Sequence, residues 1–147
     1  MSLFTSFDIN ASGLKAQRFR MDIISENIAN ANTTRDTDGD PYVRKVTVFA
    51  EKGPQSQFSK ILNSRLIQYS GKGVKVVAVR EDNETQMNVV YDPSHPDADE
   101  DGYVTYPNVN VVTEMTNLID ATNAYKANAT AFTASKQMAS MGLTMGQ

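Results

Sequence analysis

The chain has 147 residues, 40% of them hydrophobic, with no cysteine, no tryptophan and a formal net charge of -3. That length holds one domain, or a small domain carried between long flanking elements. The missing cysteines exclude disulfides, thiolate metal sites and cysteine nucleophiles, and the weakly acidic balance supplies no basic face for capturing nucleic acid.

Residues 1–10 hold few large apolar side chains and include Asp8. The pattern predicts neither a secretory leader nor a membrane-spanning segment, so any export would use another route. All five prolines, Pro41, Pro54, Pro93, Pro96 and Pro107, fall in the middle of the chain, which leaves both ends free to form long helices. At the amino end Phe7, Ala11, Leu14, Met21, Ile24, Ile28 and Ala31 recur at spacings of three and four, with Gln17 and Arg18 as the polar interruption. This heptad-like stripe predicts a helix about 40 Å long, capped by Ser2 or Thr5 and ended by Asn30, Asn32, Thr33 and Thr34.

In the middle, residues 42–49 and 73–79 are rich in β-branched side chains and roughly alternate apolar with polar. They predict half-buried strands, with 87–91 as a third. Residues 71–73 and 92–102 read as turns, and 55–66 fits either a loop or a short helix. The carboxyl end repeats the helical spacing through Val111, Met115, Leu118, Ala121, Tyr125, Ala129, Phe132, Ser135 and Ala139. A second helix of about 45 Å follows, with Glu114 favouring the helix dipole in its first turn and Gly142 as the expected stop. The alanines at 121, 124, 127, 129, 131, 134 and 139 favour helix and permit close packing. The expected fold is therefore α+β: long terminal helices packed as a coiled-coil-like pair around a small β-rich insert, divided at 1–34, 35–107 and 108–147.

Charge is distributed unevenly. Residues 35–80 carry nine Lys and Arg against four acids, whereas 81–125 carry ten acids and no Lys or Arg. Either the two segments pair inside one subunit, or they give head-to-tail complementarity between subunits.

Few residues suit catalysis. His95 is the only histidine and sits among prolines in an acidic loop, a context for an exposed turn rather than a tuned base, and no nucleophile elbow surrounds any serine. Ser70-Gly71-Lys72 lacks the spacing of a phosphate loop. Asp97, Asp99, Asp101 and Gly102 match the first half of a calcium-binding loop, but its twelfth position, which needs a bidentate Glu, is Asn108, and Pro107 precedes it. A calcium-binding or generic interaction module built on 97–102 is the alternative reading; otherwise no metal, cofactor or catalytic residue is expected. The two stripes alone would leave Phe4, Phe19, Ile119 and Met141 outside a two-helix seam, which is compatible with an assembly module or a self-contained α+β binding domain.

Asn27-Ile28-Ala29-Asn30, followed by Asn32 and Thr33, resembles the amino-terminal signature of the axial proteins of the bacterial flagellum. Asp92-Pro93-Ser94-His95-Pro96, Ala98-Asp99, Gly102-Tyr103-Val104, Tyr106-Pro107-Asn108-Val109-Asn110-Val111-Val112 and Glu114-Met115 resemble the FlgC family of basal-body rod proteins within that group, as do Tyr125, Ala127-Asn128 and Lys136-Gln137-Met138. One departure is visible: residues 35–41 form a longer stretch before Tyr42 than the Gly-Tyr of typical axial proteins.

The resemblance implies a structural subunit of the proximal rod, the drive shaft that transmits torque and encloses the export channel. It implies export by the flagellar type III system and a place in the basal body within the cell envelope, in the periplasmic space. The implied partners are copies of itself, homologous rod proteins, ring and rod-junction proteins and the export apparatus, without nucleic acid or membrane insertion. The residues expected at the assembly interface are Phe7, Leu14, Met21, Ile24, Ile28, Met115, Leu118, Tyr125 and Phe132. A lone subunit cannot bury these stripes, so its helices are expected to order as neighbours assemble.

Overall fold

The computed structural model describes residues 3–36, 39–53 and 73–145. Its elements are α1 (Leu3–Ala29), β1 (Lys45–Glu51), β2 (Val74–Glu81), β3 (Asn88–Tyr91), β4 (Tyr103–Tyr106) and α2 (Val111–Thr144). Two long helices enclose in sequence a small insert of two two-stranded sheets, an α+β fold. No helix among the described residues is long and apolar enough to cross a membrane.

The helix limits follow local chemistry. Asn30 Nδ2 and Asn30 N both donate to the Glu26 carbonyl at 3.0 Å, satisfying an end carbonyl just past Ala29. Thr5 lies inside α1 rather than capping it, while Ser2 is outside the described residues. At the start of α2, Asn110 is the N-cap: its Oδ1 accepts the Thr113 N–H at 3.1 Å and its carbonyl accepts the Glu114 N–H at 2.9 Å. Gly142 does not stop α2, which continues to Thr144. A glycine weakens a helix by about 1 kcal/mol but ends it only where the chain turns left-handed, and Gly142 is not among the positive-φ glycines.

The middle differs from the expected three strands. β4 was hidden in the sequence, where Tyr103–Tyr106 is squeezed between an acidic turn and Pro107. It pairs antiparallel with β3, setting Asn88 opposite Tyr106 and Tyr91 opposite Tyr103. In the other sheet, Asp82 N bonds Arg44 O and Lys52 N bonds Gly73 O, so β1 and β2 run in opposite directions. The 55–66 segment and residues 71–72 of the expected turn lie outside the described residues.

By contacts the chain falls into two units. One comprises Met1–Phe19, Phe49–Val77 and Thr122–Gln147. There α1 and α2 run antiparallel, with Phe7 edge-on to Phe132 at 5.1 Å between ring centroids. Gly13 faces Asn128 so closely that a Cβ would fall 2.7 Å from Asn128 Oδ1. The start of β2 is fastened by Val74 N donating to Ser12 Oγ at 3.0 Å. This requires Gly73 at φ +86°, where a Cβ would overlap the Ser12 hydroxyl.

The other unit comprises Arg20–Val48 and Ala78–Ala121. Its small core includes Ile24, Val104 and Ala121, with Ala31, Tyr42 and Val109 clustered together. Beside these apolar groups the largest fully buried side chains include Glu114 and Asn27. A charged group and an amide at such positions must be satisfied internally.

Candidate functional site: a buried polar junction

Asn27 is on the last full turn of α1 and only 1% exposed. Its Oδ1 accepts from Tyr42 Oη at 2.8 Å and Lys45 N at 2.9 Å, and its Nδ2 donates to Lys45 O at 2.8 Å and Glu114 Oε2 at 3.3 Å. The side-chain amide thus meets both backbone groups of Lys45, as a neighbouring strand's peptide would, and its full hydrogen-bonding capacity is used. Asn108, just before α2, binds the next residue toward the amino end and ties it to the segment after β2. Its Oδ1 accepts from Arg44 N at 2.9 Å, and its Nδ2 donates to Asp82 O at 2.6 Å and Thr85 O at 3.1 Å. Two asparagines therefore stitch α1 and the segment entering α2 onto the beginning of β1.

A buried charge pair completes the junction. Glu114 is 1% exposed, and its Oε1 receives Arg44 Nε at 3.0 Å and Nη2 at 2.8 Å, with Asn117 Nδ2 at 3.3 Å. Arg44 Nη1 reaches Asp82 Oδ2 at 3.1 Å. Burial works against the Arg44 charge, but hydrogen bonding and attraction from Glu114 and then Asp82 outweigh it and hold the guanidinium above its ordinary pKa. Asp82 is lowered first by the Thr85 hydroxyl and N–H, and further by Arg44. Tyr42 is pushed up to about 12 by burial and then by the Glu26, Glu114 and Glu81 charges. At the rim Lys45 Nζ pairs with Glu26 at 2.6 Å, which raises the lysine.

Every strong acceptor here already has its donor, so the arrangement fixes the relative placement of α1, β1, β2 and α2 within this unit. It also brings the basic and acidic halves of the insert together inside one chain, through Arg44 with Asp82 and Glu114 and through Arg35 with Asp97 at 3.4 Å.

The acidic loop is organised by its own turn. Asp97 Oδ2 accepts from Thr34 Oγ1 at 2.8 Å, and Asp97 N donates to His95 Nδ1 at 3.1 Å. The His95 ring lies edge-on to Tyr106. Asp92 is lowered by the Ser94 hydroxyl and N–H. Asp97, Asp99 and Asp101 do not converge, and among the described residues no three His, Asp or Glu side chains form a metal-ligating group. The half-match to a calcium loop is thus a turn in which Gly102, at φ +81°, brings the chain back toward β4.

The expected interface residues are distributed unevenly. Ile24 is buried and Phe7 meets Phe132, while Leu14, Met21, Ile28, Leu118 and Tyr125 are half-buried. Met115 is 55% exposed. Of the signature, Asn27 is buried, Ile28, Asn30 and Thr33 are half-buried, and Ala29 and Asn32 are exposed. Thr33 Oγ1 bonds Asn30 Oδ1 at 3.2 Å.

Residues 7–35 match the flagella basal body rod protein family, and residues 100–145 match the flagellar basal body rod FlgEFG protein C-terminal family. Over 100% of both chains, the sequence is 44% identical to the flagellar basal-body rod protein FlgC of Bacillus subtilis. The chain belongs to the FlgC family. It is 42% identical to the FlgC of Borreliella burgdorferi over 94% of this chain and 93% of that one, and 37% identical to that of Salmonella typhimurium over the whole of both. This is a family of structural rod subunits of the flagellar basal body, which spans the cell envelope. The junction joins the two matched segments, because Asn27 lies in the first and Asn108 and Glu114 in the second.

From the sequence Glu114 reads as a helix-dipole acid and Asn108 as part of the family motif, while Tyr42, Arg44 and Asp82 carry no expected role in a junction. One signal was available: Glu114 falls on the same face as Val111, Leu118 and Ala121. An acid within an apolar stripe is buried only against a cation.

Proposed function

We propose that this FlgC-family chain is built into the proximal rod through its terminal helices, with the buried junction holding the β insert on them. In this reading 1–34 and 108–147 form the wall that encloses the export channel and carries torque, and 35–107 is the carried domain. Among the nine expected contact residues, Phe7, Ile24 and Phe132 hold the helices of one copy together, and the exposed Met115 meets a neighbour. Leu14, Met21, Ile28, Leu118 and Tyr125, each half-buried, complete the seam. The neighbours are further copies and homologous rod proteins, with ring and rod-junction proteins at the ends and the type III apparatus during export.

The observation that carries this reading is a second stripe on α2. Val112, Met115 and Ile119, at spacings of three and four, are 74%, 55% and 61% exposed. They form one apolar face that nothing among the described residues covers, on a helix already packed on its other side. Close helix packing around such faces spreads a torsional load over many contacts.

The test is Ile119→Asp. The site is exposed, so the variant subunit should match the circular dichroism of the unmodified one. The charge then lies in the intersubunit seam, and the expected result is loss of the variant from purified basal bodies and loss of motility. Normal incorporation and swimming would refute the reading.

A further inference from the structure

In the unit that holds the junction, the β3–β4 hairpin and the segments around it form an open groove of about 590 Å³. Its walls are mostly apolar, with Val89, Val90, Tyr106, Pro107, Val109 and Val111 prominent among them. All four residues of β3 are exposed, Val89 at 60% and Val90 at 49%. Val104 of β4 is buried beneath the hairpin, but a two-stranded sheet with one strand exposed on both faces is marginal without further cover.

The complementary feature is the far end of α2. Residues 136–145 are exposed except for the half-buried Ala139. Met138, Met141 and Met145 follow each other at spacings of three and four, and are 62%, 64% and 87% exposed. A single helical stretch of this length is marginal in water, and flexible methionine side chains fill irregular apolar grooves well.

Charge favours bringing the two together. The groove lining itself is uncharged, but the loop joining its two strands carries Asp92, Asp97, Asp99, Glu100 and Asp101 and no Lys or Arg. Of these Asp97 is paired with Arg35, whereas 126–147 carries Lys126 and Lys136 and no acid. The occupant must come from another molecule. Val111, on the groove wall, and Met141 are thirty residues apart on the same helix, about 45 Å at 1.5 Å per residue. A helix end cannot fold back onto its own beginning.

We infer that the Met138–Met141–Met145 face of one copy seats in the groove beside β3 of a second copy. The contact joins two different surfaces, so it is heterologous and runs from copy to copy, as a ring or a helical row, rather than closing into a two-fold dimer. The inference rests on the rod reading above and adds to it the specific surface and partner.

Because the chain contains no cysteine, the test is clean. Cells lacking the native gene co-produce two full-length forms with different tags, one Val89→Cys and the other Met141→Cys, and purified basal bodies are oxidised. The expected product is a disulfide-linked dimer carrying both tags, absent when either form is produced alone and diminished by Lys136→Glu on the Met141→Cys form. Rods that contain both forms but give no mixed dimer overturn the inference and leave the rod assignment standing. A photo-cross-linker at position 89 that captures a different rod protein, or another part of a second copy, also overturns it. If the unmodified chain is missing from basal bodies, the rod reading fails and this inference fails with it.

Discussion

Removing either member of the Arg44–Glu114 pair should have unequal consequences, and the structure sets the order. In Arg44→Met the Glu114 carboxylate remains 1% exposed with only the Asn27 and Asn117 amides, both at 3.3 Å, as donors. Breaking a buried pair this way costs about 3–5 kcal/mol. In Glu114→Gln the arginine keeps Asp82 at 3.1 Å and is itself 24% exposed at the side chain, so water and a second carboxylate share its charge. The loss there is about 1–2 kcal/mol. Urea unfolding followed by tyrosine near-ultraviolet circular dichroism reads the difference, since Tyr42, Tyr91, Tyr103 and Tyr106 all belong to this unit. With a slope of about 2 kcal/mol per molar urea, Arg44→Met lowers the midpoint by about 1.5–2.5 M and Glu114→Gln by about 0.5–1 M. The double variant Arg44→Met/Glu114→Leu should recover most of the loss, because an apolar pair leaves no charge unpaired. An equal or larger effect for Glu114→Gln, or strictly additive losses in the double variant, would refute this account of the junction.

Two further outcomes follow from particular residues. Tyr42 ionises at about 12 in the folded chain against an ordinary 10.0, so the folded state binds its proton more tightly than the unfolded one. Its contribution is complete below pH 10 and is lost as pH rises toward 12. Tyrosinate absorbance should show one late-titrating group that Tyr42→Phe removes; its persistence in that variant would sink the assignment. Gly73→Ala forces a side chain into a left-handed backbone conformation and onto the Ser12 hydroxyl, at about 1–3 kcal/mol for the backbone alone. Thermal unfolding should fall by about 2–4 °C for each kcal/mol. Ser12→Ala should restore only part of it, because relieving the overlap leaves the backbone strain, and full rescue would show that overlap was the whole cause.

Much of the molecule was legible before any coordinates. The three-four spacing of Phe7 through Ile28 and of Val111 through Ala139 specified both helices, because a helix face repeats independently of what covers it. Proline placement confined the strands to the middle for an equally local reason. The signature Asn27-Ile28-Ala29-Asn30 and the 92–115 motifs pointed to the family without any structure.

The roles of these residues depended on the tertiary fold. Asn27 and Asn108 stand 81 positions apart, and only folding brings them to the consecutive residues Lys45 and Arg44 where β1 begins. Glu114 looked like a helix-start acid until Arg44 arrived 70 positions away. Strand β4 and the separation into two sheets depended on pairing rather than propensity. Periodicity records which side of a helix is greasy, but a buried amide or carboxylate gains its meaning from partners that chain distance conceals. The sequence by itself determined the two helices and the lineage, and the tertiary structure decided the fourth strand, which polar groups lock the elements together and which apolar faces remain for neighbours.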